Sequence, residues 1–404
     1  MNILLVSYWD EQAPSGVRVH YVALAEQLRR LGHRVDVVNS ATLRGGRRHL
    51  LGGLRRVLAW AGPLGHHWGQ ELWYFLLIYW AIRRDRGYDL VNAHDVGSGA
   101  AARRALRDRV PVVVTGHVNE HPAEEIIRQN HLRGAAAWAL RRWYTWLLSQ
   151  TRYFIGVSDY LLECLRPLLP AATLSRRIYG GCRPELLRRP AEPPAAPLFP
   201  GRYLILNVGH LEARKHQLLL LETARELRRY RSDFVVGLVG KGPDEPGLRR
   251  FVAEHQLAEH VTFLGYQASV GPFLHQAAWY VHTARLETLG LALIEAMLAG
   301  APVLGRATGG VPEVLAATPE ALFSADTPPA ALAQRLHELL DHPAEHARLL
   351  ARQQAHARAW FTVPRMTEQT LAFYAEVLHH FGGPSPASRP RTPSPTPAIT
   401  AAAP

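Results

Sequence analysis

The segment E-T-L-G-L-A-L-I-E-A-M-L-A-G-A-P-V at residues 287–303, followed by the loop T-G-G-V-P-E at 308–313, decides the fold of this chain. Glu287 and Glu295 are separated by seven residues across a turn that opens a helix, and the second loop opens another helix. Helix N-termini favour anions, and carboxylates accept hydrogen bonds from hydroxyl groups. Two such loops in succession predict a pocket for a ligand that carries both phosphates and hydroxyls. The alternative is that both glutamates are surface residues of an ordinary helix start.

The flanking residues predict a strand, a turn and a helix around the first glutamate. Trp279–His282 is an apolar run of strand length, and Leu291–Ala299 has a helical pattern that stops at a glycine. Gly290 lies where the turn meets the helix. Glu287 is therefore expected just ahead of a helix N-terminus, and Glu295 about one turn inside the helix.

Two further glycine loops follow predicted strands in the second half. The loop V-G-H-L-E-A-R-K-H at 208–216 contains Gly209, which allows close backbone approach, and Arg214 and Lys215, which can meet phosphate oxygens. The alternative is a solvated loop with two cations. The turn V-G-K-G-P at 239–243 is a weaker signal, because such a turn can be purely structural.

The first half offers one glycine and two histidines at strand ends. Gly16 joins the first strand region to the first helix, a position that suits phosphate. His117 and His94 each follow an apolar strand, where a parallel sheet presents catalytic groups. We favour His117 as a site residue because its loop also contains Gly116; the alternative is that both histidines are structural.

The first half alternates apolar runs of strand length with helical patterns. Its strands are predicted at Ile3–Val6, Val35–Val38, Leu90–Asn92, Val112–Thr115 and Tyr153–Val157. A second series of the same kind begins after residue 200. This alternation predicts parallel sheets wrapped by helices, in which ligands bind at the carboxyl ends of the strands.

The length of 404 residues suits two domains of about 150–200 residues each. A proline-rich stretch near residue 190 can continue neither a helix nor a sheet, and it indicates a linker. The predicted parts are a first domain at 1–182, a linker at 183–200, a second domain at 201–365, a closing helix at 366–381 and a tail at 382–404. The closing helix is expected to pack back on the first domain, and the proline-rich tail is expected to be disordered.

The formal net charge of +12 is unevenly distributed. Residues 1–200 contain 27 arginines and 16 acidic residues, a balance of +11, whereas residues 201–404 contain 19 basic and 18 acidic residues. Eight of the ten tryptophans precede residue 150. A basic and tryptophan-rich domain is typical of proteins with an anionic partner or an anionic surface to bind.

One region concentrates this charge and aromatic content. No acidic residue lies between Asp36 and Glu71, and an apolar run, L-W-Y-F-L-L-I-Y-W-A-I, follows at 72–82. This run is too short for a bilayer, which needs about 20 residues. It predicts either an interfacial helix on anionic lipid or a core helix beside a solvated basic loop. A similar patch at 138–148 favours the first alternative.

The termini and the cysteines indicate a cytoplasmic protein. The N-terminus M-N-I-L-L-V-S lacks the basic start of a secretory signal and predicts a strand. Cys164 and Cys182 are too few for a disulfide scaffold, so we expect ordinary thiols in a reducing cytoplasm. Peripheral association with the inner face of the cell membrane is the alternative that the basic region leaves open.

The order and spacing of these motifs resemble the family 4 retaining glycosyltransferases of the GT-B fold over nearly all of residues 1–380. The Glu287 and Glu295 pair resembles the E-x7-E signature of that family, and T-G-G-V-P-E resembles its T-x-x-G-G-x-P-E loop. The loop at 208–216 resembles G-R-L-x-x-x-K-G. S-G-V-R-V-H-Y-V-A-L-A-E-Q-L resembles the N-terminal G-G-x loop and helix, and T-G-H resembles the T-x-H motif of the acceptor domain.

The resemblance implies an α/β fold of the GT-B type, with two Rossmann-like domains that face each other across a cleft. It implies that Glu295 holds the ribose of a donor nucleotide, Glu287 the transferred sugar and Lys215 the departing diphosphate, and that His117 lines the reaction centre. It also implies a set of donor-binding residues around them: Gly16, Gly209, His210, Arg214, Leu289, Gly290, Leu291, Gly309 and Gly310.

Three positions depart from the family pattern. His210 stands where the family has an arginine, so Arg214 is expected to take over its diphosphate contact, or activity depends on the protonation of His210. Ser15 replaces the first glycine of the N-terminal pair, and Thr288 follows Glu287 where glycine is common. None of these changes removes a group that the chemistry requires.

The resemblance therefore implies a retaining hexosyltransferase that uses a nucleotide diphosphate sugar, UDP- or GDP-linked, and a glycan or lipid-linked acceptor, with neither a cofactor nor a metal. The alternative is a non-catalytic nucleotide-sugar or glycan-binding protein of the same fold. A Rossmann dehydrogenase is disfavoured, because no G-x-G-x-x-G follows the first strand. A nucleic-acid partner is not expected, because no nucleic-acid motif accompanies the charge.

Overall fold

Short runs rich in Val, Ile and Leu form strands that helices cover on both faces, as parallel sheets require. The computed structural model describes residues 1–10, 15–60, 62–187 and 197–382 and contains two parallel sheets of six strands each. The strands of the first sheet are β1 (Asn2–Val6), β2 (Arg34–Val38), β3 (Leu90–Ala93), β4 (Val112–Gly116), β5 (Tyr153–Gly156) and β6 (Leu174–Arg177). The strands of the second sheet are β7 (Tyr203–Val208), β8 (Phe234–Val239), β9 (Val261–Gly265), β10 (Ala277–His282), β11 (Val303–Arg306) and β12 (Leu322–Phe323).

Helices connect the strands of each sheet. In the first domain they are α1 (Gly16–Arg30), α2 (Gly46–Ala59), α3 (Gly62–Ala81), α4 (Val96–Leu106), α5 (Pro122–Gln129), α6 (Gly134–Ser149) and α7 (Asp159–Leu165). After β7 they are α8 (Gln217–Leu227), α9 (Glu245–Glu254), α10 (Gly271–Leu274), α11 (Leu291–Ala299), α12 (Val311–Val314), α13 (Pro329–Asp341), α14 (Pro343–Trp360) and α15 (Val363–His380).

The strand order of each sheet determines where a ligand can bind. The first sheet has the order β2-β1-β3-β4-β5-β6, and the second has the order β12-β11-β10-β7-β8-β9. The order reverses between β1 and β3 in the first sheet and between β7 and β10 in the second. Ligands of open parallel sheets bind beyond the carboxyl ends of the strands at such a reversal. The loops at 209–216 and 283–290 lie at that place in the second sheet.

The last helix, α15, lies against the first sheet although it follows the second domain in the sequence. Met366 and Phe373 belong to the same buried cluster as Ile3 of β1. The hydroxyl of Tyr374 accepts a hydrogen bond of 2.7 Å from the side-chain amide of Asn92, which lies on β3. Apolar burial and this buried polar contact therefore help to hold α15 on the first domain.

A short backbone pairing connects the two domains where the chain enters α15. The amide of Cys182 donates to the carbonyl of Phe361 at 2.8 Å, and the amide of Val363 donates to the carbonyl of Cys182 at 3.0 Å. A Cβ atom on Gly181 would lie 2.6 Å from the backbone of Thr362. Glycine is needed at position 181 because any larger residue would push these two segments apart.

The apolar pattern at 330–359 predicts a single helix, but this prediction is wrong, because the structure has two helices there, α13 and α14. Pro343 occupies the first position of α14, and it lacks the N–H group that a continuing helix would need. His342 before it has φ −119° and ψ 73°, outside the helical region, as expected for a residue that precedes proline. Most of the predicted linker, residues 188–196, and the predicted tail from residue 383 lie outside the described residues.

Candidate active site

The loops after β7 and β10 bring together a lysine, a glutamate and a histidine. The ammonium group of Lys215 contacts the carboxylate oxygen Oε2 of Glu287 as an ion pair and hydrogen bond. Nε2 of His282, at the end of β10, lies 3.4 Å from the same oxygen. Glu287 is 8% exposed. The structure thus places two of the predicted site residues in one buried cluster.

The charges around Glu287 determine its ionisation. Burial alone would raise the pKa of Glu287, but the positive charge of Lys215, the contact with His282 and the charge of Arg214 together hold it well below its usual range. Burial lowers the pKa of His282, and the neighbouring Glu287 only partly offsets this effect. Glu287 is therefore a buried carboxylate that keeps its negative charge at physiological pH.

The other predicted residues of the 208–216 loop differ in their positions. Arg214 donates from Nη1 to the carbonyl of Leu286 at 3.1 Å, so a second cation lies beside the Glu287 turn. A Cβ atom on Gly209 would lie 3.8 Å from the side chain of Lys215. The side chain of His210 is exposed, and its backbone carbonyl accepts a hydrogen bond from Gln217. Of these two residues, Arg214 is the one whose side chain contacts the Glu287 turn, and its expected contact with the diphosphate stays a prediction.

Gly309 and Gly310 support the Glu287 turn from behind. The amide of Gly310 donates to the carbonyl of Glu287 at 2.9 Å. Gly309 has φ 57°, and a Cβ atom there would lie 1.9 Å from that carbonyl oxygen; one on Gly310 would lie 2.0 Å from the carbonyl oxygen of Thr288. Glycine is required at both positions because the backbone of the second loop touches the backbone of the first.

Replacing Gly309 by alanine is expected to displace the Glu287 turn and to lower the free energy of unfolding by about 2 kcal/mol or more. Gly247 is the matched control, because a Cβ atom there meets nothing within 4 Å and the residue lies inside α9. Gly247→Ala should raise the free energy of unfolding by about 0.5–1 kcal/mol. Denaturant unfolding of both variants measures the difference. Equal effects of the two substitutions would contradict the contact described above.

Glu295 lies apart from this cluster, on α11, beside a cavity of about 190 Å³ between the two domains. The cavity is bounded by α1 and by residues 181–187, with Arg18 and Arg183 among its lining residues. Desolvation raises the pKa of Glu295 to about 7. This carboxyl group therefore changes its charge within the physiological range, unlike Glu287.

The start of α11 contacts the first domain. Gly290 is the N-cap residue of this helix, and its φ of 85° lies in the left-handed region that favours glycine. A side-chain atom of Leu289 lies 3.2 Å from the Cβ position of Gly180, and one of Leu291 lies 3.5 Å from that of Gly16. The predicted residues Gly16, Leu289, Gly290 and Leu291 thus meet at one place between the domains.

Two polar contacts also join the domains beside Glu287. The hydroxyl Oγ1 of Thr288 lies 2.8 Å from the carbonyl oxygen of Val118 and 2.9 Å from Oδ1 of Asn119. The carboxylate of Glu313 accepts 2.8 Å hydrogen bonds from the amides of Asp159 and Tyr160 at the start of α7. The segment that follows His117 is therefore in direct contact with the residue that follows Glu287.

His117 belongs to a cluster of three histidines on the first domain. Nε2 of His117 lies 3.2 Å from Nδ1 of His94, and the ring of His20 is 4.7 Å from the ring of His117, centre to centre. Burial lowers the pKa of His20 to about 4 and lowers the pKa values of the other two well below their usual range. The sequence favoured His117 over His94 as a site residue, but the structure places both rings in the same cluster.

Ring nitrogens of His20, His94 and His117 lie within 4.8 Å of one another, and they form the single group among the described residues whose spacing could hold a metal ion. Neutral imidazoles are suitable ligands for zinc and similar ions. They are equally suited to hydrogen bonds with sugar hydroxyls. The metal-independent reaction that the sequence implies remains a prediction.

Sequence reasoning missed His20, His282 and the contact made by Glu313. His282 ends a predicted strand, so its position was a usable signal. His20 gives no comparable signal, because it lies on the buried face of α1 among apolar residues. The pairing of Glu313 with the start of α7 joins positions 154 residues apart and depends on how the domains meet.

Two sequence profiles match this chain. The profile described as glycosyltransferase family 4 matches residues 14–186, and the one described as glycosyl transferases group 1 matches residues 189–357. Glycogen synthase of Mycobacterium tuberculosis is 26% identical over 401 residues, covering 91% of this chain and 94% of that protein. D-inositol 3-phosphate glycosyltransferase of Streptomyces scabiei is 27% identical over 322 residues, covering 74% of this chain and 70% of that protein.

The fold is also similar to a solved structure. HepE of Anabaena, solved in complex with UDP-glucose, superposes with a TM-score of 0.69 at 19% identity, covering 94% of this chain and 99% of that one. Its similarity and the two sheets of the present structure identify the fold as GT-B. The two profiles, which match residues 14–186 and 189–357, show that this chain belongs to the family 4 glycosyltransferases.

Proposed function

We propose that the protein transfers a hexosyl group from a nucleotide diphosphate sugar to a glycan or lipid-linked acceptor, with retention of anomeric configuration and without a metal ion. The observation that carries the proposal is the buried contact between Lys215 and Glu287 at the carboxyl edge of the second sheet. It joins a cation and a carboxylate where a diphosphate and a sugar would meet. The relatives that carry glycosyltransferase names support the general reaction.

The cations of the 208–216 loop suit a departing diphosphate. In the proposed step the bond between the anomeric carbon and the diphosphate oxygen breaks, and that oxygen keeps the electron pair. Lys215 and Arg214 would stabilise the developing charge, because fixed cations in a site that excludes water act strongly on it. The acceptor oxygen bonds to the anomeric carbon on the face that the diphosphate leaves, and its proton passes to the leaving phosphate oxygen.

The cavity beside Glu295 suits the ribose of the donor. A carboxylate there can accept hydrogen bonds from two neighbouring hydroxyls, and the half-buried position would make these bonds strong. The N-terminus of α11 would contribute free amide groups near the phosphates. We propose UDP or GDP as the nucleotide; HepE was solved with UDP-glucose, which supports the first of these.

The neutral histidines of the first domain suit the sugar and the acceptor. His117 immediately precedes Val118, whose carbonyl contacts Thr288 of the Glu287 turn. Imidazoles that stay uncharged can donate hydrogen bonds to hydroxyls and accept hydrogen bonds from them. Without a positive charge they do not compete with Lys215 and Arg214 for the diphosphate. We infer that His117 lines the reaction centre and that His94 orients its ring through the 3.2 Å contact.

Donor affinity is expected to rise with pH between 6 and 8. If the ionised form of Glu295 binds the ribose, a pKa of about 7 leaves roughly a tenth of the sites ready at pH 6 and nine tenths at pH 8. Donor binding should therefore strengthen about tenfold over this range, with release of a proton. Calorimetric titration with an intact nucleotide sugar is the suitable measurement, because the diphosphate of an intact donor does not titrate there. Glu295→Gln should abolish the dependence; an unchanged slope in that variant would contradict the assignment.

A donor panel distinguishes the proposed enzyme from a non-catalytic binding protein. The protein is incubated with UDP-, GDP- and ADP-linked hexoses in the presence of EDTA, and free nucleoside diphosphate is measured. An enzyme is expected to release it from one donor class and a binding protein from none. A binding protein would still be stabilised by its ligand, by about 2.7 kcal/mol at a concentration 100 times the dissociation constant. Release that EDTA abolishes would overturn the metal-independent part of the proposal.

A further inference from the structure

An unusual apolar surface lies on the outer face of α2. Leu50, Leu54, Val57 and Trp60 follow one another at helical spacing and are 68%, 42%, 70% and 92% exposed. We call these four residues the α2 stripe. Large apolar side chains that are exposed singly need no explanation, but a contiguous row indicates a surface that binds something.

The apolar runs that the sequence singled out lie elsewhere in the protein. Every residue of the run 72–82, which lies on α3 up to Ala81, is buried or half-buried, so the run fits the core helix of the two alternatives. In the patch 138–148 the buried leucines face inward, and Trp138 is its one exposed large apolar residue, at 63%. The exposed apolar surface is formed instead by α2, in the segment that the sequence had described as a basic loop.

Three arginines and one histidine flank the α2 stripe. Arg47 lies beside Leu50 on one edge, Arg56 and His49 lie on the other, and Arg44 precedes the helix. All four of these residues are exposed. An apolar centre with basic flanks and a terminal tryptophan is the composition of helices that lie in the interface of an anionic membrane.

The remaining two arginines of α2 do not belong to this surface. The guanidinium groups of Arg48 and Arg55 lie 5.8 Å and 4.7 Å from the centre of the Trp73 ring on α3. These contacts fix the orientation of α2 on α3, since a helix turned about its axis would lose them. The α2 stripe therefore faces outward because of specific contacts on the opposite side of the helix.

The α2 stripe lies on the acceptor side of the cleft. Helix α3, on which α2 packs, places Tyr74 5.2 Å from the ring of Tyr8, and Tyr8 follows β1 at the carboxyl edge of the first sheet. The amide of Tyr8 in turn donates to Asp95 at the start of α4, at 3.1 Å. If α2 binds to a surface, the carboxyl edge of the first sheet therefore lies close to that surface.

We propose that the α2 stripe and its flanking arginines dock the protein on an anionic lipid bilayer. The four apolar side chains enter the headgroup region, Trp60 lies at the level of the headgroups, and Arg44, Arg47 and Arg56 meet lipid phosphates. None of the helices in the described part of the chain is long and apolar enough to cross a membrane, so docking is peripheral. It would place the acceptor side of the proposed reaction at the lipid surface, where a lipid-linked acceptor resides.

Flotation of the full chain with lipid vesicles tests this proposal. The protein is expected to float with phosphatidylcholine vesicles that contain phosphatidylglycerol and to stay behind with phosphatidylcholine alone. The double variant Leu50→Glu/Val57→Glu should weaken partition about 100-fold, because two apolar anchors are lost. Leu31→Glu/Tyr230→Glu is the matched control: it changes two side chains that are 53% and 50% exposed in other parts of the protein, and it should float as the unchanged protein does.

A second pair of variants tests the contribution of charge. Arg47→Gln/Arg56→Gln should reduce partition into anionic vesicles about 30-fold at low salt and much less at high salt. Arg34→Gln/Arg250→Gln removes the same charge from exposed positions elsewhere and should have only a small effect. Donor hydrolysis in solution should be the same in all these variants, so failure of the docking proposal is distinguishable from failure of the proposed function.

Three results would overturn the docking proposal. The first is no flotation with either vesicle type, and the second is flotation that the Leu50→Glu/Val57→Glu variant keeps. The third concerns a second copy of this chain as the occupant. A dimer in light scattering that the same variant converts to a monomer, without any vesicle binding, would identify the α2 stripe as a subunit interface.

Discussion

Replacing Glu287 by glutamine is expected to lower the rate of sugar transfer by about 100- to 1,000-fold, the usual loss when one preorganised electrostatic contact is removed. The amide keeps the size of the side chain but carries no charge. Glu287 is the buried carboxylate whose charge Lys215 and His282 maintain, so its loss removes the group expected to hold the transferred sugar. Steady-state rates of nucleoside diphosphate release and of product formation measure the effect.

Stability must be measured together with activity in this variant. Breaking a buried ion pair from one side costs up to about 3–5 kcal/mol, because it leaves the partner unpaired. Rates should therefore be compared per folded molecule, at a temperature well below the unfolding midpoint. Glu254→Gln, at an exposed position on α9, is the matched control and should change the rate less than about twofold. Full activity in the Glu287→Gln variant would refute the site assignment.

Replacing Lys215 by methionine is expected to lower the rate by at least about 1,000-fold, more than the change at Glu287. The substitution removes the cation that would meet the departing diphosphate. It also leaves Glu287 as a buried, unpaired carboxylate that repels the same diphosphate. The two effects act in the same direction, so both donor affinity and the rate of the chemical step should fall. Titration with the donor and single-turnover kinetics separate the two contributions.

A thermodynamic cycle distinguishes a structural role of Lys215 from a catalytic one. In the double variant Lys215→Met/Glu287→Gln both charges are gone, so its loss of stability should be smaller than the sum of the single losses. Its activity should remain as low as that of Lys215→Met. Lys215→Arg should retain part of the activity because it keeps the charge. Arg250→Met, on the exposed face of α9, is the control. If the stabilised double variant regains activity, Lys215 serves only to neutralise Glu287.

The regular parts of both domains could be predicted from local patterns. The apolar run at 234–239 predicts a strand and the glycine-bounded pattern at 291–299 predicts a helix, and β8 and α11 begin and end at these residues. The edge strands β6 and β12 were missed. The first, L-S-R-R, contains a single apolar residue, and the second has two residues. Edge strands have fewer buried positions, so their sequences carry a weaker pattern.

The candidate site could be predicted only in part, for a physical reason. The sequence placed Lys215 and Glu287 each in a loop after a strand, but they are 72 residues apart. Their contact depends on the pairing of β7 with β10, which local patterns do not determine. His20 lies on the buried face of α1, and Glu313 contacts a residue of the other domain. Neither position has a signature in sequence spacing. Exposure of the α2 stripe likewise depends on how α2 packs on α3.

We propose that the cleft between the two sheets binds a nucleoside diphosphate through Lys215, Arg214 and Glu295. A crystal structure of the protein with the nucleoside diphosphate selected by the donor panel tests it most directly. We expect the phosphates against Lys215, Arg214 and the start of α11, and the ribose hydroxyls on Glu295. A nucleotide bound elsewhere on the protein, or one whose phosphates do not contact Lys215, would refute this assignment.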